Sequence, residues 1–354
     1  MYRTNAYAAQ SADQPLGPFQ ITRREVGPHD VRIDILYCGV CHTDLHHVRN
    51  DWESSSYPMV PGHEIVGLVS KVGKHVADFK SGDTVGVGCM VDSCQHCEAC
   101  AKGLEQYCLN APTWTYGDLD RVTGQLTFGG YSKRIVVTEK FVIKIPQTLD
   151  LKAAAPLLCA GITTYSPLRH WKIGTGHQVG IVGLGGLGHM GVKLAKAMGA
   201  HVTVFTTSPW KVDDASRLGA DVVLSTDKEV MRQHESSLDF ILNTIPVSHD
   251  INPYVALLKR DGILVILGAI EPLEPGLDGD LIAFRRRSVA SSLIGGIEET
   301  QEMINFCAEH GIAADVEVIP IQKINEAYDR MVKRDLKYRF VIDMASLKQE
   351  SAGE

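Results

Sequence analysis

Over its first half the chain alternates apolar and polar positions in short stretches. Val31, Ile33 and Ile35 interleave with Arg32 and Asp34, and residues 65–69 and 134–138 are β-branched runs bounded by turn formers. A period of two puts successive side chains on opposite faces of a pleated strand, so the chain up to about residue 150 reads as β-rich. From about residue 153 the texture changes. Apolar runs at 179–182, 202–205, 240–242 and 263–267 alternate with helix-period stretches at 187–198 and 209–218. That alternation predicts βαβ units and a parallel sheet. Beyond about residue 293 the pattern predicts a helix over 298–310, a strand over 316–319 and a helix over 323–333. A polar tail, 348–354, is expected to fray. There is no internal repeat or low-complexity stretch.

A length of 354 residues fits two domains. With 44% apolar and 22% charged residues, the composition excludes disordered, collagenous and coiled-coil chains. The formal charge of -7 offers no long-range attraction to nucleic acid or anionic lipid, and the one basic run, Arg285-Arg286-Arg287, reads as a solvated patch. The opening residues Met1-Tyr2-Arg3-Thr4-Asn5 lack the apolar core of a signal peptide, and no apolar run approaches the ~18 residues that span a bilayer. The expectation is a cytoplasmic protein without nucleic-acid or membrane partners. Nine cysteines are too sparse for a disulfide scaffold, yet four crowd into residues 94–108, which in a reducing compartment points to metal.

The stretch Gly183-Leu184-Gly185-Gly186-Leu187-Gly188 follows the apolar strand and opens the helix after it. In that context the glycines permit a tight turn and close backbone approach, while the helix N-terminus offers free N–H groups to a pyrophosphate. The competing reading is a glycine-rich turn without a ligand. A free ribose 2′-hydroxyl usually meets an acid at the end of the next strand. Here that strand ends in Thr206-Thr207-Ser208, with Lys211 just beyond. Hydroxyls and a cation suit a 2′-phosphate, which an acid would repel, so NADP(H) is expected rather than NAD. Ser208 also reads as the cap of a helix starting at Pro209, and Lys211 as a solvated cation; these roles are compatible.

Cys94, Cys97, Cys100 and Cys108 form C-x2-C-x2-C-x7-C. Four thiolates on a tight loop close a tetrahedral zinc shell with no open position, the pattern of a structural site. An iron–sulfur cluster fits less well, given the seven-residue gap and the lack of a second cysteine cluster. The other cysteines are Cys38, Cys41, Cys89, Cys159 and Cys307. Taken singly, Cys41, His63 and Cys159 read as a buried thiol, a core histidine and a small helix residue.

Taken together, CGVCHTD at 38–44, GHEIVG at 62–67, the four-cysteine lobe, PLLCAGITTYSPL at 156–168, GLGGLG at 183–188 and SLIGGIEET at 292–300 give a closer match. They resemble the zinc-dependent medium-chain alcohol dehydrogenase family, and within it the cinnamyl alcohol dehydrogenase-like branch, over essentially the whole chain. The resemblance implies an α/β chain: a GroES-like β-rich catalytic domain from residues 1–152 and 294–354 and a Rossmann doubly wound parallel-sheet domain over 153–293. It further implies an active cleft between them and a homodimer formed through sheet edges of the cofactor domains. A catalytic zinc would be held by Cys41, His63 and Cys159, leaving one position open. Glu64 is either a transient fourth ligand or a buried structural acid. Thr43 would contact the reacting oxygen and relay protons through the nicotinamide ribose to His46, with His47 the adjacent competitor. Asp44 would orient His63 through its other ring nitrogen. His42 is either a pyrophosphate contact or an exposed turn residue. Trp114, Trp52 and Met59 are candidates for the substrate pocket or for core. Cys38, Cys89 and Cys307 are read as structural.

The expected protein is a zinc alcohol dehydrogenase with two zinc ions per chain, one catalytic and one structural. It would use NADP(H) and act mainly as a reductase of aromatic, allylic or medium-chain aldehydes. An NAD-dependent polyol dehydrogenase is disfavoured by the missing acid after Phe205. A non-catalytic protein that binds NADPH and zinc predicts loss of a ligand or relay residue, and all are present.

Overall fold

The computed structural model describes residues 1–268 and 271–347; the tail 348–354 lies outside the described residues. Backbone contacts divide the chain into two units, Met1–Cys159 with Gly295–Glu354, and Ala160–Ile294. No helix among the described residues is long and apolar enough to cross a membrane.

The first unit is built on the strand Asp30–Gly39, whose residues Val31, Ile33 and Ile35 point into the core. It pairs antiparallel with Ile65–Val72, Arg134–Thr138 and Arg339–Asp343. Thr84–Val87 and then Ile143–Lys144 extend the sheet on one side, and Val316–Pro320 closes the other. This is the GroES-like half. The strand Arg339–Asp343 has no counterpart in the sequence reading, because four of its five residues are buried and the alternation that marks a one-faced strand is missing. Sheet register brings two candidate ligands together. Cys38 lies opposite Ile65, and the Gly39 N–H donates to the Glu64 carbonyl at 2.9 Å. The chain segments carrying Cys41 and His63 therefore leave the sheet side by side. The turn Ala155–Leu158 delivers Cys159 beside them, packed so closely that a Cβ on Gly88 would sit 2.9 Å from the Leu158 carbonyl.

In the second unit, among the described residues, six parallel strands run in the order Asp221–Leu224, His201–Thr206, Gln178–Val182, Leu238–Asn243, Leu258–Ile266 and Ser288–Ser291. This is the doubly wound Rossmann order, and it reverses at Gln178–Val182, where ligands bind in such sheets. Gly183 leaves that strand at φ +88°, and a Cβ on Gly188 would overlap the Gly183 carbonyl, so both positions require glycine. The helix Gly186–Ala197 comes next.

Two local expectations need correction. The stretch from Pro209 is a 3₁₀ turn, Pro209–Lys211, followed by the helix Val212–Arg217, and the Ser208 side chain makes no capping bond. The Ser208 N–H instead donates to Thr206 Oγ1 at 3.1 Å. Nor is the basic run uniformly solvated. Arg285 and Arg286 are exposed, but Arg287 is buried and donates to the carbonyls of Leu258, Leu281 and Ala256 and to Ser236 Oγ. Its guanidinium satisfies backbone acceptors where strands end, a role that composition cannot reveal. Arg287→Ala should lower stability by about 2–3 kcal/mol, read as a fall in the urea midpoint, while Arg285→Ala should stay within about 0.5 kcal/mol.

Candidate active site

Cys41 precedes the helix His42–Arg49 at its N-cap position, and His63 follows Gly62, which sits at φ +102°. Asp44, fully buried in the first turn, ties these segments together. Its Oδ2 accepts the Cys41 N–H at 2.9 Å, and its Oδ1 accepts the Gly62 N–H at 3.0 Å and lies 3.0 Å from His63 Nδ1. With Nδ1 carrying the proton toward Asp44, the lone pair of His63 falls on Nε2.

Donor atoms of Cys41, His63, Glu64 and Cys159 all lie within 4.8 Å of one another. All four residues are buried, and the thiols are free. A hydrogen bond from Cys159 draws the Cys41 thiol well below its usual range despite burial, and the Cys159 thiol, which holds that shared proton, is raised. Burial works to lower the His63 pKa, but the Asp44 charge, Cys89 and hydrogen bonds to Asp44 and Cys41 outweigh it. Two thiols and an imidazole so placed are a borderline-soft donor set whose protons a metal ion would displace, and zinc fits them.

Glu64 is placed differently. One of its oxygens, Oε1, pairs with Arg339 Nη2, while Oε2 is buried without a hydrogen-bond partner among the described residues. Burial pushes its pKa up to about 7 against the pull of Arg339. A Cβ on Gly39 would overlap this carboxylate, so the glycine keeps its space open. Arg339 was missed because it lies on the unread strand. Cys89, half-buried with a free thiol, is among the groups that raise the Cys159 thiol and the His63 imidazole. Cys38 and Cys307 are buried, and burial pushes both thiols up, Cys307 to about 12.

The Sγ atoms of Cys94, Cys97, Cys100 and Cys108 form a second group within 4.8 Å. Backbone N–H groups of Cys94, Cys97 and Leu109 each point at a cysteine sulfur at 3.4 Å. Such bonds favour thiolate. The backbone N–H of His96, with Asn110 and its cysteine neighbours, pulls Cys94 down to about 5, whereas burial pushes Cys100 up to about 11. Four sulfurs with no carboxylate among them fit the donor set of a closed zinc shell.

Thr43 Oγ1 lies 3.6 Å from Cys41 Sγ. His46 Nδ1 meets Asp51 Oδ2 at 2.7 Å, a partner the sequence reading did not name. The reversal that brings Asp51 back comes from Asn50, which ends the helix at φ 57°. His47 is held edge-on between Trp52 and Tyr116, at 4.9 and 5.5 Å between ring centroids. His42 is exposed. Trp52 also lies 5.2 Å from the His46 ring. Trp114 sits opposite Met90 in a short hairpin, and Met59 is a core residue near Gly117.

In the second unit Gly185 caps the helix Gly186–Ala197, and a side chain at Gly185 would meet nothing within 4 Å among the described residues. Lys211 Nζ donates to the Leu184 carbonyl at 2.7 Å, bringing the cation to the glycine loop. Thr206 and Ser208 are buried at the end of the second strand, and Thr207 is exposed.

Comparison with known proteins agrees with both halves. Residues 27–147 match the alcohol dehydrogenase GroES-like domain, and residues 186–309 match the zinc-binding dehydrogenase domain. The chain is 56% identical over 350 residues to aldehyde reductase YahK of Escherichia coli, covering 98% of this chain and 99% of that protein. It is 53% identical to NADP-dependent alcohol dehydrogenase C 1 of Mycolicibacterium smegmatis, over 98% of this chain and 100% of that one. A solved cinnamyl alcohol dehydrogenase from Sorghum bicolor superposes with a TM-score of 0.95 at 44% identity, over 99% of this chain and 100% of that chain. With two clustered donor sets, a Rossmann loop and full-length similarity in agreement, the chain belongs to the zinc-binding alcohol dehydrogenase family.

Proposed function

We propose that this chain is an NADP(H)-dependent zinc alcohol dehydrogenase that works mainly as an aldehyde reductase. The observation that carries the reading is the asymmetry of the first donor cluster. Cys41, His63 and Cys159 converge with one carboxylate, Glu64, whose Oε1 is shared with Arg339. Two thiols, an imidazole and a carboxylate partly claimed by a guanidinium suit a site whose fourth position exchanges with substrate, whereas four cysteines do not.

Bound there, zinc supplies a Lewis acid that polarises a carbonyl, and NADPH supplies the hydride. The chain's own residues do the rest. Cys41 and Cys159 carry the negative charge that offsets the ion, and Asp44 holds the Nδ1 proton of His63 so that Nε2 faces the metal. Thr43 Oγ1, beside Cys41, is placed to hand a proton to the product oxygen. His46, a third exposed and hydrogen-bonded to Asp51, is placed to replace that proton from water. Cys94, Cys97, Cys100 and Cys108 would hold a second, structural zinc that orders a loop poor in apolar residues.

NADP(H) is supported by the hydroxyl-lined end of the second Rossmann strand, by Lys211 at the glycine loop, and by the relative named as NADP-dependent. His42, exposed at the start of its helix, is a candidate pyrophosphate contact. Aromatic, allylic and medium-chain aldehydes suit Trp52 beside His46 and Trp114 as an indole wall, and they fit the relatives named aldehyde reductase and cinnamyl alcohol dehydrogenase. Met59 is buried and belongs to the supporting core rather than to a first wall. We place the homodimer contact at the edge strand Ser288–Ser291 and the protein in the cytoplasm, where its nine free cysteines would stay reduced.

Cys159→Ala should abolish aldehyde-dependent NADPH oxidation while NADPH binding, read by fluorescence titration, stays intact; substantial remaining turnover would remove Cys159 from the catalytic metal. Thr206→Asp should lower kcat/KM for NADPH at least about tenfold, equivalent to ~1.4 kcal/mol, and leave NADH nearly unaffected. An unchanged cofactor preference would mean that another segment reads the 2′-phosphate.

A further inference from the structure

Beneath the first donor cluster lie three tyrosines that the reaction does not use. Tyr116, Tyr131 and Tyr328 are all buried, and each hydroxyl is sealed from solvent without a well-formed hydrogen bond among the described residues. They come from distant parts of the chain: a loop after the four-cysteine lobe, the approach to Arg134–Thr138, and the helix Ile324–Val332. All three converge on Asp44. After burial itself, the Asp44 carboxylate is among the main influences raising each phenol.

Their rings are not equivalent. Tyr131 lies against the backbone of Gly62, where an added Cβ would come within 2.7 Å of its Cδ1. Among the described residues, Tyr116 alone of the three meets imidazoles. Its ring centroid is 5.8 Å from that of His63 with the planes 34° apart, and 5.5 Å from that of His47, edge-on at 86°. Asp44 grips His63 at a single atom, Nδ1. Hydrogen bonds to Asp44 and Cys41 fix the tautomer and two ends of the ring but leave its plane free to turn about the line between them. The Tyr116 ring beside it, 5.8 Å away and tilted by 34°, limits that turn.

We propose that Tyr116 is a positioning residue for His63, fixing the plane of the imidazole with its aromatic ring while Asp44 fixes its proton. This inference rests on the assignment of Cys41, His63 and Cys159 as ligands of the catalytic zinc. Loss of outer partners behind a metal ligand typically costs 10- to 100-fold in metal affinity.

The test uses the zinc-loaded full chain and a colorimetric chelator in excess, following release of each zinc over time. Tyr116→Phe keeps the ring and loses the hydroxyl; Tyr116→Leu keeps the apolar volume and loses the aromatic face. The proposal predicts that Tyr116→Leu releases the zinc of the Cys41, His63 and Cys159 cluster about 10- to 100-fold faster while release of the other zinc is unchanged, whatever fall in the urea midpoint the lost buried ring brings. Tyr116→Phe should restore wild-type release to within about twofold. Wild-type release from Tyr116→Leu overturns the proposal. So does acceleration of both zincs with a lower urea midpoint, which marks a purely structural residue, and so does Tyr116→Phe releasing as fast as Tyr116→Leu, which assigns the effect to the hydroxyl. His63→Ala separates the ligand assignment from the role of Tyr116. If it leaves both release rates unchanged, the ligand assignment fails; if it speeds one and Tyr116→Leu does not, only the role of Tyr116 fails.

Discussion

One carboxylate organises the candidate catalytic centre. Asp44 accepts from the backbone of Cys41, from the backbone of Gly62 and from the ring of His63, and so joins a helix start to the entry of a β-strand. A fully buried carboxylate is costly unless its lone pairs are met, and here the partners are two main-chain donors and the imidazole that it orients. The cost of burial and the precision of the ligand set come from the same three bonds. Sheet register does the rest: with Cys38 opposite Ile65, the two segments start a few ångströms apart before any side chain is placed.

Charge explains the second pair of buried groups. Two thiols that must become thiolates, next to Glu64, would concentrate negative charge away from water. Arg339 enters from the C-terminal strand, pairs with Glu64 and raises the share of that charge the fold tolerates before a metal arrives. The strand Arg339–Asp343 therefore joins the first sheet for a chemical reason as well as a packing one. Val341 and Ile342 pair with Gly39 and Cys38, and the same pairing delivers the guanidinium. The four-cysteine lobe needs no such counter-charge, since Cys94, Cys97 and Cys100 are only partly buried and backbone N–H groups bear on its sulfurs.

Much of this was legible in the sequence where periodicity or spacing carried it. The strand Arg134–Thr138, the helix after the glycine loop, the cysteine lobe and the helix–strand–helix return all arise from local patterns. What stayed hidden depends on pairings across the chain. Arg339 sits on a strand buried on both faces, so no alternation announced it, and Arg287 looked like one third of a basic run until its carbonyl partners were placed. Cys89 and Tyr116 are ordinary residues in sequence and become neighbours of His63 only after the turn Ala155–Leu158 and the segment from Thr113 are packed. Asp51 was within reach of local reasoning, since a helix that ends in a left-handed asparagine folds the next residue back onto its own last turn.

The central claim is that the donor cluster and the Rossmann loop together make an NADPH-dependent aldehyde reductase. The direct measurement is the initial rate of NADPH oxidation, and separately of NADH oxidation, by protein of known zinc content with cinnamaldehyde, benzaldehyde, hexanal, acetaldehyde and fructose. The account predicts two zincs per chain and rapid NADPH oxidation with the three larger aldehydes, with NADH and fructose far behind. Protein that carries both zincs yet oxidises NADPH with none of the aldehydes would contradict it.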